Sequence, residues 1–378
     1  MWVTCLRDNL SRGLSSVSRA VSSRSMLPVT QNVLLESDNG QLKITATNTE
    51  ISISTWIGAQ IENEGAVTVP ARILTDYINA LSGEAVNIDL LTDPERVKII
   101  CGSSDATING IDANQFPPIP PVSGGPSTVI PAASFRSSLE RVIVAAATDD
   151  SRPVLTGVKI ELAESSYTLA AADGFRLAVE KGSLPNEIAE DVGIIVPAKT
   201  LSELERLLSD GSENVEMSVD SESRSAKFKL DSSEIVTSLV QGTFPDYGKL
   251  IPENQSTVIT VDSDKIKQAS RAASIFARDG SNIVRFVVEK NDESENDSVV
   301  KVLSKAEEMG ENENSITAIV SGPATKVAFN SKFLLDVLNV LDGKELIIEA
   351  DSSSSPGVFR SESNPEYKHI VMPMFVQW

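Results

Sequence analysis

Few residues of this chain could take part in catalysis. His369 is the only histidine among 378 residues, so no serine–histidine–aspartate triad or cysteine–histidine pair can be built elsewhere. Asp149, Asp150 and Asp173 could together hold a divalent metal, which would serve nucleic-acid cleavage. However, Asp149 and Asp150 fit a turn between a helix and a strand, and Asp173-Gly174 fits a tight turn. We therefore expect no catalytic residue, no metal and no cofactor.

Three cations occupy matching positions in three similar segments. Val69-Pro-Ala-Arg72 returns 127 positions later as Val196-Pro-Ala-Lys199, and 133 positions after that as the weaker Phe329-Asn-Ser-Lys332. Each cation falls in the first turn of a predicted helix, where it opposes the helix dipole at about 0.3–1 kcal/mol. Three copies of an unfavourable choice suggest that these cations meet an external anion. A surface side chain inherited with the repeat is the alternative.

These segments belong to a longer repeat. The stretch 151–180 has the pattern of two strands, Val154 to Leu162 and Tyr167 to Glu180, joined by a polar turn. Similar units occupy 27–57 and 281–303, the latter with a long acidic turn. The period matches a whole domain of about 100–150 residues. We therefore expect three homologous α+β domains.

Proline- and glycine-rich segments at 116–126 and 252–256 mark the domain boundaries. They predict domains at 1–124, 125–252 and 253–378. Each domain opens with a strand and an amphipathic helix, the first of which has Asp8 as a plausible N-cap. In the third domain we interpret the acidic stretches Asn291 to Asp297 and Glu307 to Asn314 as solvated loops.

The formal charge of −20 argues against tight non-specific binding to nucleic acid. Cations nevertheless concentrate on the predicted helices, including Arg12 and Arg19 in the first domain and Lys267 and Arg271 in the third. A solvated helix face is the usual explanation of such charges. The same pattern in several copies favours a common anionic ligand.

The chain lacks a long apolar run and a signal-peptide pattern. Its two cysteines, Cys5 and Cys101, lie in predicted strands, and buried free thiols are the expected state. We therefore expect a cytoplasmic protein.

Five motifs resemble the bacterial sliding clamp family, the beta subunit of DNA polymerase III. Each is weak alone, but together they follow the family's order and spacing over essentially the whole chain. They are Leu27-Pro28 with Asn32-Val-Leu-Leu35, Val69-Pro-Ala-Arg72, Ala172-Asp-Gly-Phe-Arg-Leu-Ala178, Phe244-Pro-Asp-Tyr247 and Val371-Met-Pro-Met374.

The resemblance implies a processivity factor without catalysis of its own. Two chains would join head to tail into a ring of six domains, with helices lining the hole, sheets outside and duplex DNA passing through. Family positions imply phosphate contacts by Arg24, Arg72 and Arg152. We add the predicted helix cations Lys199, Lys267, Arg271 and Lys332. At the subunit contact, Ile108 would meet Ile275 and Phe276.

The resemblance also implies a peptide cleft for short motifs of the polymerase catalytic subunit, the clamp loader and repair proteins. An apolar, methionine-containing slot suits several partners. The implied residues are Leu155, Ala172, Gly174, Phe175, Arg176, Leu177, Pro245, Leu250, Ile370, Met372, Pro373 and Met374.

Several cleft positions depart from the family. Phe175 stands where histidine is frequent, Ala172 replaces a hydroxyl residue, and Ser281 stands where an aromatic can line the cleft. The chain also continues beyond Met374 to Trp378, and we hypothesise that Trp378 folds over the cleft. Two other functions stay open at this point: a three-domain interaction scaffold that never encircles DNA, and a metal-dependent nuclease.

Overall fold

A computed structural model describes the chain except for residues 23–26, 210, 221, 223, 253–254, 279–280, 292–297 and 309. Arg24 and the predicted acidic turn at 292–297 lie outside the described residues. No described helix is long and apolar enough to span a membrane.

The described residues form six α-helices. They are α1 (Arg7–Val17), α2 (Ala71–Ala80), α3 (Ala132–Ile143), α4 (Ala198–Leu208), α5 (Ser263–Arg278) and α6 (Ser331–Val340). Short 3₁₀ turns lie at Ser18–Ala20, Pro28–Gln31, Ala113–Gln115, Pro153–Thr156 and Tyr247–Leu250.

The strands of the described chain are numbered in order. They are β1 (Trp2–Leu6), β2 (Asn32–Asp38), β3 (Gln41–Thr47), β4 (Ile51–Asn63), β5 (Ala66–Pro70), β6 (Ala85–Leu91), β7 (Arg96–Cys101), β8 (Ser104–Asn109), β9 (Ser127–Pro131), β10 (Gly157–Ala163), β11 (Ser166–Ala172), β12 (Arg176–Ser183), β13 (Val192–Pro197), β14 (Asn214–Asp220), β15 (Ser225–Lys229), β16 (Ser233–Ser238), β17 (Thr257–Asp262), β18 (Ile283–Glu289), β19 (Ser298–Ala306), β20 (Gly310–Ser321), β21 (Thr325–Asn330), β22 (Glu345–Ala350), β23 (Gly357–Ser361) and β24 (Asn364–Val371).

The chain divides into two compact units. The first unit comprises Met1–Arg136, Leu184–Glu190 and Lys199–Leu239. Its sheet runs β8-β7-β6-β1-β4-β16-β15-β14-β9, and β3, β2 and β5 branch from β4. Leu10 and Leu14 of α1 are fully buried, because an apolar residue every three or four positions gives the helix one apolar face.

The second unit comprises Ser137–Ser183, Asp191–Ala198 and Val240–Trp378. Its sheet runs β13-β10-β11-β12-β24-β23-β22-β17-β20-β19-β18-β21. Helix α5 packs on β19 and β20 and buries Ile266 and Ala273. Phe329 lies at the centre of three buried rings, with Phe286 and Phe359 5.7 and 5.4 Å away between ring centroids.

The threefold repeat is visible in the backbone. The first helix of every copy begins with an N–H that donates to the residue before a matching strand. The bonds are Arg7 N to Glu84 O, Ala132 N to Glu213 O and Ser263 N to Lys344 O, all 2.8–2.9 Å. Position 7 is therefore equivalent to 132 and to 263, which confirms the predicted repeat.

Several local predictions were wrong. The strand predicted from Val154 begins only at Gly157, because the proline-led 3₁₀ turn Pro153–Thr156 precedes it. The strand predicted over Tyr167 to Glu180 is two strands, β11 and β12. Gly310 to Asn314, interpreted as part of a loop, forms the first half of β20.

The N-cap predicted for the first helix was wrong. Helix α1 begins at Arg7, so Asp8 lies inside its first turn and is not its cap. Asp262 caps α5, since its Oδ1 accepts a 2.9 Å hydrogen bond from Lys265 N. Cys5 and Cys101 are buried free thiols as predicted, and burial raises the pKa of Cys5 to about 12.

Candidate functional site

The three repeated cations lie at equivalent positions in the structure. Arg72, Lys199 and Lys332 are each the second residue of the second helix of a copy, and all three are exposed. The Arg72 side chain is 94% exposed and its ion-pair contact, with Asp76, is 3.8 Å long. Such a pair contributes little in water, so the guanidinium is available to an external anion.

Three other predicted DNA contacts, Arg152, Lys267 and Arg271, have structural partners. Lys267 Nζ donates to Leu341 O at 2.9 Å, just after the end of α6. Arg271 Nη2 donates to Asn339 Oδ1 at 2.9 Å, and Arg152 Nη2 donates to Asp173 O at 2.7 Å. Arg152 therefore lies beside the predicted cleft residue Gly174, and Lys267 stabilises a helix end.

The structure brings most of the predicted cleft residues together. Leu155, Ala172, Leu177 and Ile370 belong to one buried apolar cluster of the second unit. Phe244, the neighbour of Pro245, also belongs to it, and Tyr247 and Ile251 pack against it. This cluster forms an apolar floor.

Large apolar side chains near this floor are left in water. Phe175, Leu250 and Met372 are 59%, 53% and 44% exposed, and Pro245 is exposed as well. Exposed apolar groups that adjoin an apolar floor are typical of a docking site. The arrangement suits a short peptide with large apolar side chains.

A rigid turn holds Phe175 in place. Asp173 Oδ1 accepts hydrogen bonds from Phe175 N and Arg176 N at 2.8 and 3.0 Å, and Asp173 Oδ2 accepts one from Arg176 Nε. Gly174 has φ +92°, and a Cβ there would lie 2.5 Å from Arg152 Nη1. Asp173 is thus a turn cap that pairs with an arginine, which is not the role of a metal ligand.

Phe333 was not predicted from the sequence as a cleft residue. Its ring stacks on that of Phe175 with centroids 6.3 Å apart, and the Arg176 guanidinium lies 4.5 Å over it. Arg176 Nη1 also bonds Asp336 Oδ2 at 2.6 Å, so the side chains of α6 and β12 are fixed together. The only hint of Phe333 in the sequence was its position directly after Lys332, the repeated cation of the third copy.

The C-terminal tail follows a defined course. Met372 N donates to Phe175 O at 2.8 Å, and Met374 N donates to Ala328 O of β21 at 2.7 Å. Lys326 of β21 places its Nζ 5.0 Å from the ring centroid of Trp378. Trp378 therefore lies on β21, where a cation–π contact stabilises it. Contrary to our hypothesis, it does not lie over the cleft.

The residues predicted for the subunit contact lie in different units. Ile108 of β8 is buried to 8% exposure in the first unit. Ile275 of α5 is 59% exposed in the second unit, and its neighbour Phe276 is half-buried.

Ile73 on α2 is an exposed apolar residue that was not predicted from the sequence. It is 57% exposed, whereas its equivalent Thr200 on α4 is 3% exposed. Tyr77 is half-buried, whereas its equivalent Leu204 is fully buried. The repeat offset of 127, which aligns Ile73 with Thr200 and Tyr77 with Leu204, could have revealed this difference from the sequence.

His369 is structural. It is fully buried, its Nδ1 lies 2.7 Å from the Tyr367 hydroxyl, and its Nε2 has no hydrogen-bond partner among the described residues. Burial and the nearby Arg176 charge lower the pKa of His369 from 6.5 to about 3. The imidazole is therefore neutral at physiological pH.

We expect acid to destabilise the fold through His369. Between pH 6.5 and 3 the unfolded chain binds this proton and the folded chain does not, so stability falls as pH falls, by up to roughly 1.4 kcal/mol per pH unit. The difference in unfolding free energy between the wild type and His369→Gln, followed by urea titration, should change across this range. Parallel stability curves would contradict this assignment.

Comparisons with known proteins agree with this architecture. Family models of the DNA polymerase III beta subunit match its N-terminal domain at residues 1–120, its central domain at 129–246 and its C-terminal domain at 248–375. A beta sliding clamp of Synechocystis sp. is 30% identical over 396 residues, which cover 99% of both chains.

Solved structures give the same result. The DNA polymerase III beta subunit of Thermotoga maritima superposes with a TM-score of 0.90 at 27% identity, and the DNA polymerase sliding clamp of Bacillus subtilis with 0.93 at 25%. Both matches cover 100% of each chain. The chain therefore belongs to the DNA polymerase III beta subunit family, the beta sliding clamps, and is a DNA sliding clamp: a non-catalytic processivity subunit with three clamp domains.

Proposed function

We propose that two copies of this chain close head to tail into a six-domain ring around duplex DNA, with the helices on the inside. The observation that carries this proposal is a pair of strand edges without a partner among the described residues, one in the first copy of the repeat and one in the third. Strand pairs between successive copies within the chain show how such edges would join.

Each internal junction pairs the last strand of one copy with the fourth strand of the copy before it. In the first unit β16 pairs with β4, with Ile235 opposite Ile53. In the second unit β24 pairs with β12, with His369 opposite Ala178. Both pairs are antiparallel and occupy equivalent positions of the repeat.

The same two elements lack this partner at the ends of the chain. Among the described residues, β8 pairs on one side only, with β7. Residues Gly310 to Thr317 of β20 likewise pair only with β19. Transfer of the internal registers places Ala106 opposite Asn312 of a second copy, and Thr107 opposite Glu311. An unpaired edge is a ready template for another chain.

Charge on this edge supports the pairing. Arg96 and Lys98 lie on β7, one strand from the edge, and the first half of β20 carries Glu311 and Glu313. Asp105 would face Glu313, but Lys98 already pairs with Asp105 at 3.0 Å. Opposite charges thus predominate across the proposed contact, which favours the correct register.

Helices support the same contact. In the first unit, Arg206 of α4 donates to Ser16 O of α1 at 3.0 Å. The equivalents of α4 and α1 at the open ends are α2 and α5. Helix α2 would therefore bring Ile73 and Tyr77 to Ile275 and Phe276 of the second copy, and burial of these side chains would stabilise the ring.

The cations that face the hole would contact phosphate weakly and without sequence preference. Arg72, Lys199 and Lys332 are exposed, and Arg271, Lys267, Arg152 and Arg24 are further candidates from the sequence. A net charge of −20 opposes binding to the outside of DNA, whereas enclosure retains the ring without strong contacts. We place this activity in the cytoplasm.

The apolar cleft around Leu155, Leu177 and Ile370 would bind short peptide motifs of the DNA polymerase III catalytic subunit, the clamp loader and repair proteins. Its floor is preformed, and Phe175, Leu250 and Met372 would wrap the apolar side chains of the peptide. Several partners would compete for it.

The test of enclosure is topological. The protein is loaded on nicked circular DNA with a clamp loader, and the DNA is then cut once. We expect a closed ring to leave through the ends within minutes, while it stays on uncut circles. Equal retention on both forms would identify a groove binder and reject the ring.

A triple charge reversal tests the cations. Arg72→Glu, Lys199→Glu and Lys332→Glu place carboxylates at helix starts, where the dipole favours them, so the fold should be unharmed. We expect loading on DNA to weaken and its salt dependence to decrease, since each lost phosphate contact removes about 0.9 from the slope. Unchanged loading would favour the interaction scaffold that never encircles DNA.

A further inference from the structure

A polar cavity of about 430 Å³ lies in the first unit. Helix α1 lines it with Arg12, Ser15 and Ser16, helix α4 with Arg206, and the start of β16 with Ser233. Of the twelve described residues around it, two are arginines and none is acidic. This is unusual in a chain of net charge −20.

The second unit shows what fills the equivalent place there. At the equivalents of Gly13, Ser16, Thr55 and Ser233 it carries larger side chains. These are Ser138, Arg141, Glu180 and Tyr367, in the same order. The first three lie 125 positions after their equivalents. The fourth follows from the strand registers, since Ser233 lies opposite Thr55 and Tyr367 lies opposite Glu180. The cavity lies where the first unit has the smaller side chain at each of these four positions.

In the second unit the carboxylate of Glu180 occupies the region that is a cavity in the first unit. Glu180 accepts hydrogen bonds from Arg141 Nε and Nη2 at 2.8 and 2.6 Å, from Ser138 Oγ at 3.0 Å and from Asn364 Nδ2 at 3.1 Å. Glu180 is only 4% exposed, so its charge is desolvated and needs these donors. The fold thus builds an oxyanion site at this junction.

The first unit has two other donors here, Arg12 and Arg206, and no acidic residue lines its cavity. Arg206 Nη2 donates a hydrogen bond to Ser16 O at 3.0 Å, and Arg206 Nε donates one to Glu203 Oε2 at 3.1 Å. Arg12 donates to the neutral amide oxygen of Asn9 at 2.6 Å. Thr55, at the place of Glu180, brings a hydroxyl and no charge. An external oxyanion would complete the set.

We propose that this cavity binds a phosphate group through Arg12 and Arg206. Donors reach it from α1, α4 and β16, three directions that suit a tetrahedral anion better than a planar one. The group could come from the DNA backbone or from free phosphate. The site is independent of the proposed ring.

The test is calorimetric titration of the full-length protein with inorganic phosphate at constant ionic strength, in chloride buffer. We expect one saturable site per chain. Arg12→Gln should weaken binding about 10-fold or more, because a charge-assisted hydrogen bond is lost. Arg19→Gln removes the same charge outside the cavity, where Arg19 lies 3.6 Å from Glu203, and should change affinity less than about two-fold.

A second pair of variants separates charge from shape. Ser15 is exposed on α1, so its substitution should not affect folding. Ser15→Glu supplies an internal carboxylate and should abolish phosphate binding, while Ser15→Gln should reduce it little. Absence of a saturable signal, or equal losses in Arg12→Gln and Arg19→Gln, would overturn the proposal.

Short duplex DNA distinguishes the two sources. If Arg12→Gln weakens duplex binding more than Arg19→Gln, and phosphate competes with the duplex, the backbone supplies the group. If the two variants bind duplex equally while only Arg12→Gln loses phosphate, the ligand is free phosphate. Both outcomes support the site.

Discussion

Ile73→Asp is expected to convert the proposed dimer into a folded monomer. Ile73 is 57% exposed in the single chain, so the substitution should leave the fold intact. In the proposed contact the side chain is buried against α5 of a second copy. Loss of apolar burial and desolvation of a carboxylate together cost about 3 kcal/mol at one junction. A two-fold ring has two such junctions, so dimerisation should weaken roughly 10⁴-fold.

Sedimentation equilibrium measures this effect directly. The control is Leu250→Asp, which places the same charge at a similarly exposed apolar position, 53%, of the second unit. It should leave the dimer unchanged. If both variants stay dimeric, α2 does not lie in the contact. Ile275→Asp should reproduce the effect of Ile73→Asp from the other side of the junction.

The sequence was informative where the repeat constrained it. The helix positions of the cations at 72, 199 and 332 were predicted correctly because related local motifs precede all three second helices. Strand boundaries were less predictable. The break at Asp173 depends on a side chain that caps its own turn and pairs with Arg176, and alternation of apolar residues does not report such a bond.

One misinterpreted segment is explained by the proposed dimer. Residues 310–314 are polar and acidic, which is typical of a loop, yet they form a strand. Among the described residues this half of β20 has a neighbour on one side only, so it covers no core and needs no apolar alternation. Single-chain patterns report burial within the chain and miss edges that a second copy would pair.

The same limit explains the cavity and the cleft. Glu180 and Thr55 are equivalent residues, but that equivalence became visible only through strand registers. Phe333 was missed because it contacts Phe175 across about 160 positions of sequence, which no local pattern records. The family resemblance predicted the apolar floor and Phe175, whereas Phe333 was found only in the structure.

Leu250→Asp is expected to weaken peptide binding roughly 30-fold or more without an effect on the dimer. Leu250 ends a 3₁₀ turn beside the apolar floor, and a carboxylate there would be desolvated against the apolar side chains of a bound peptide. Truncation of a central apolar anchor alone costs about 2 kcal/mol. Fluorescence anisotropy with a labelled hexapeptide that carries two large apolar side chains measures the loss.

Matched variants make this test specific to the cleft. Lys249→Ala alters the adjacent residue of the same turn, whose ammonium pairs with Asp246 at 2.8 Å in solvent, and should change affinity less than about two-fold. Ile73→Asp should bind the peptide as the wild type does, since α2 belongs to the other unit. Equal losses in Leu250→Asp and Lys249→Ala would mean that the turn is merely distorted, and wild-type affinity in Leu250→Asp would place the peptide elsewhere.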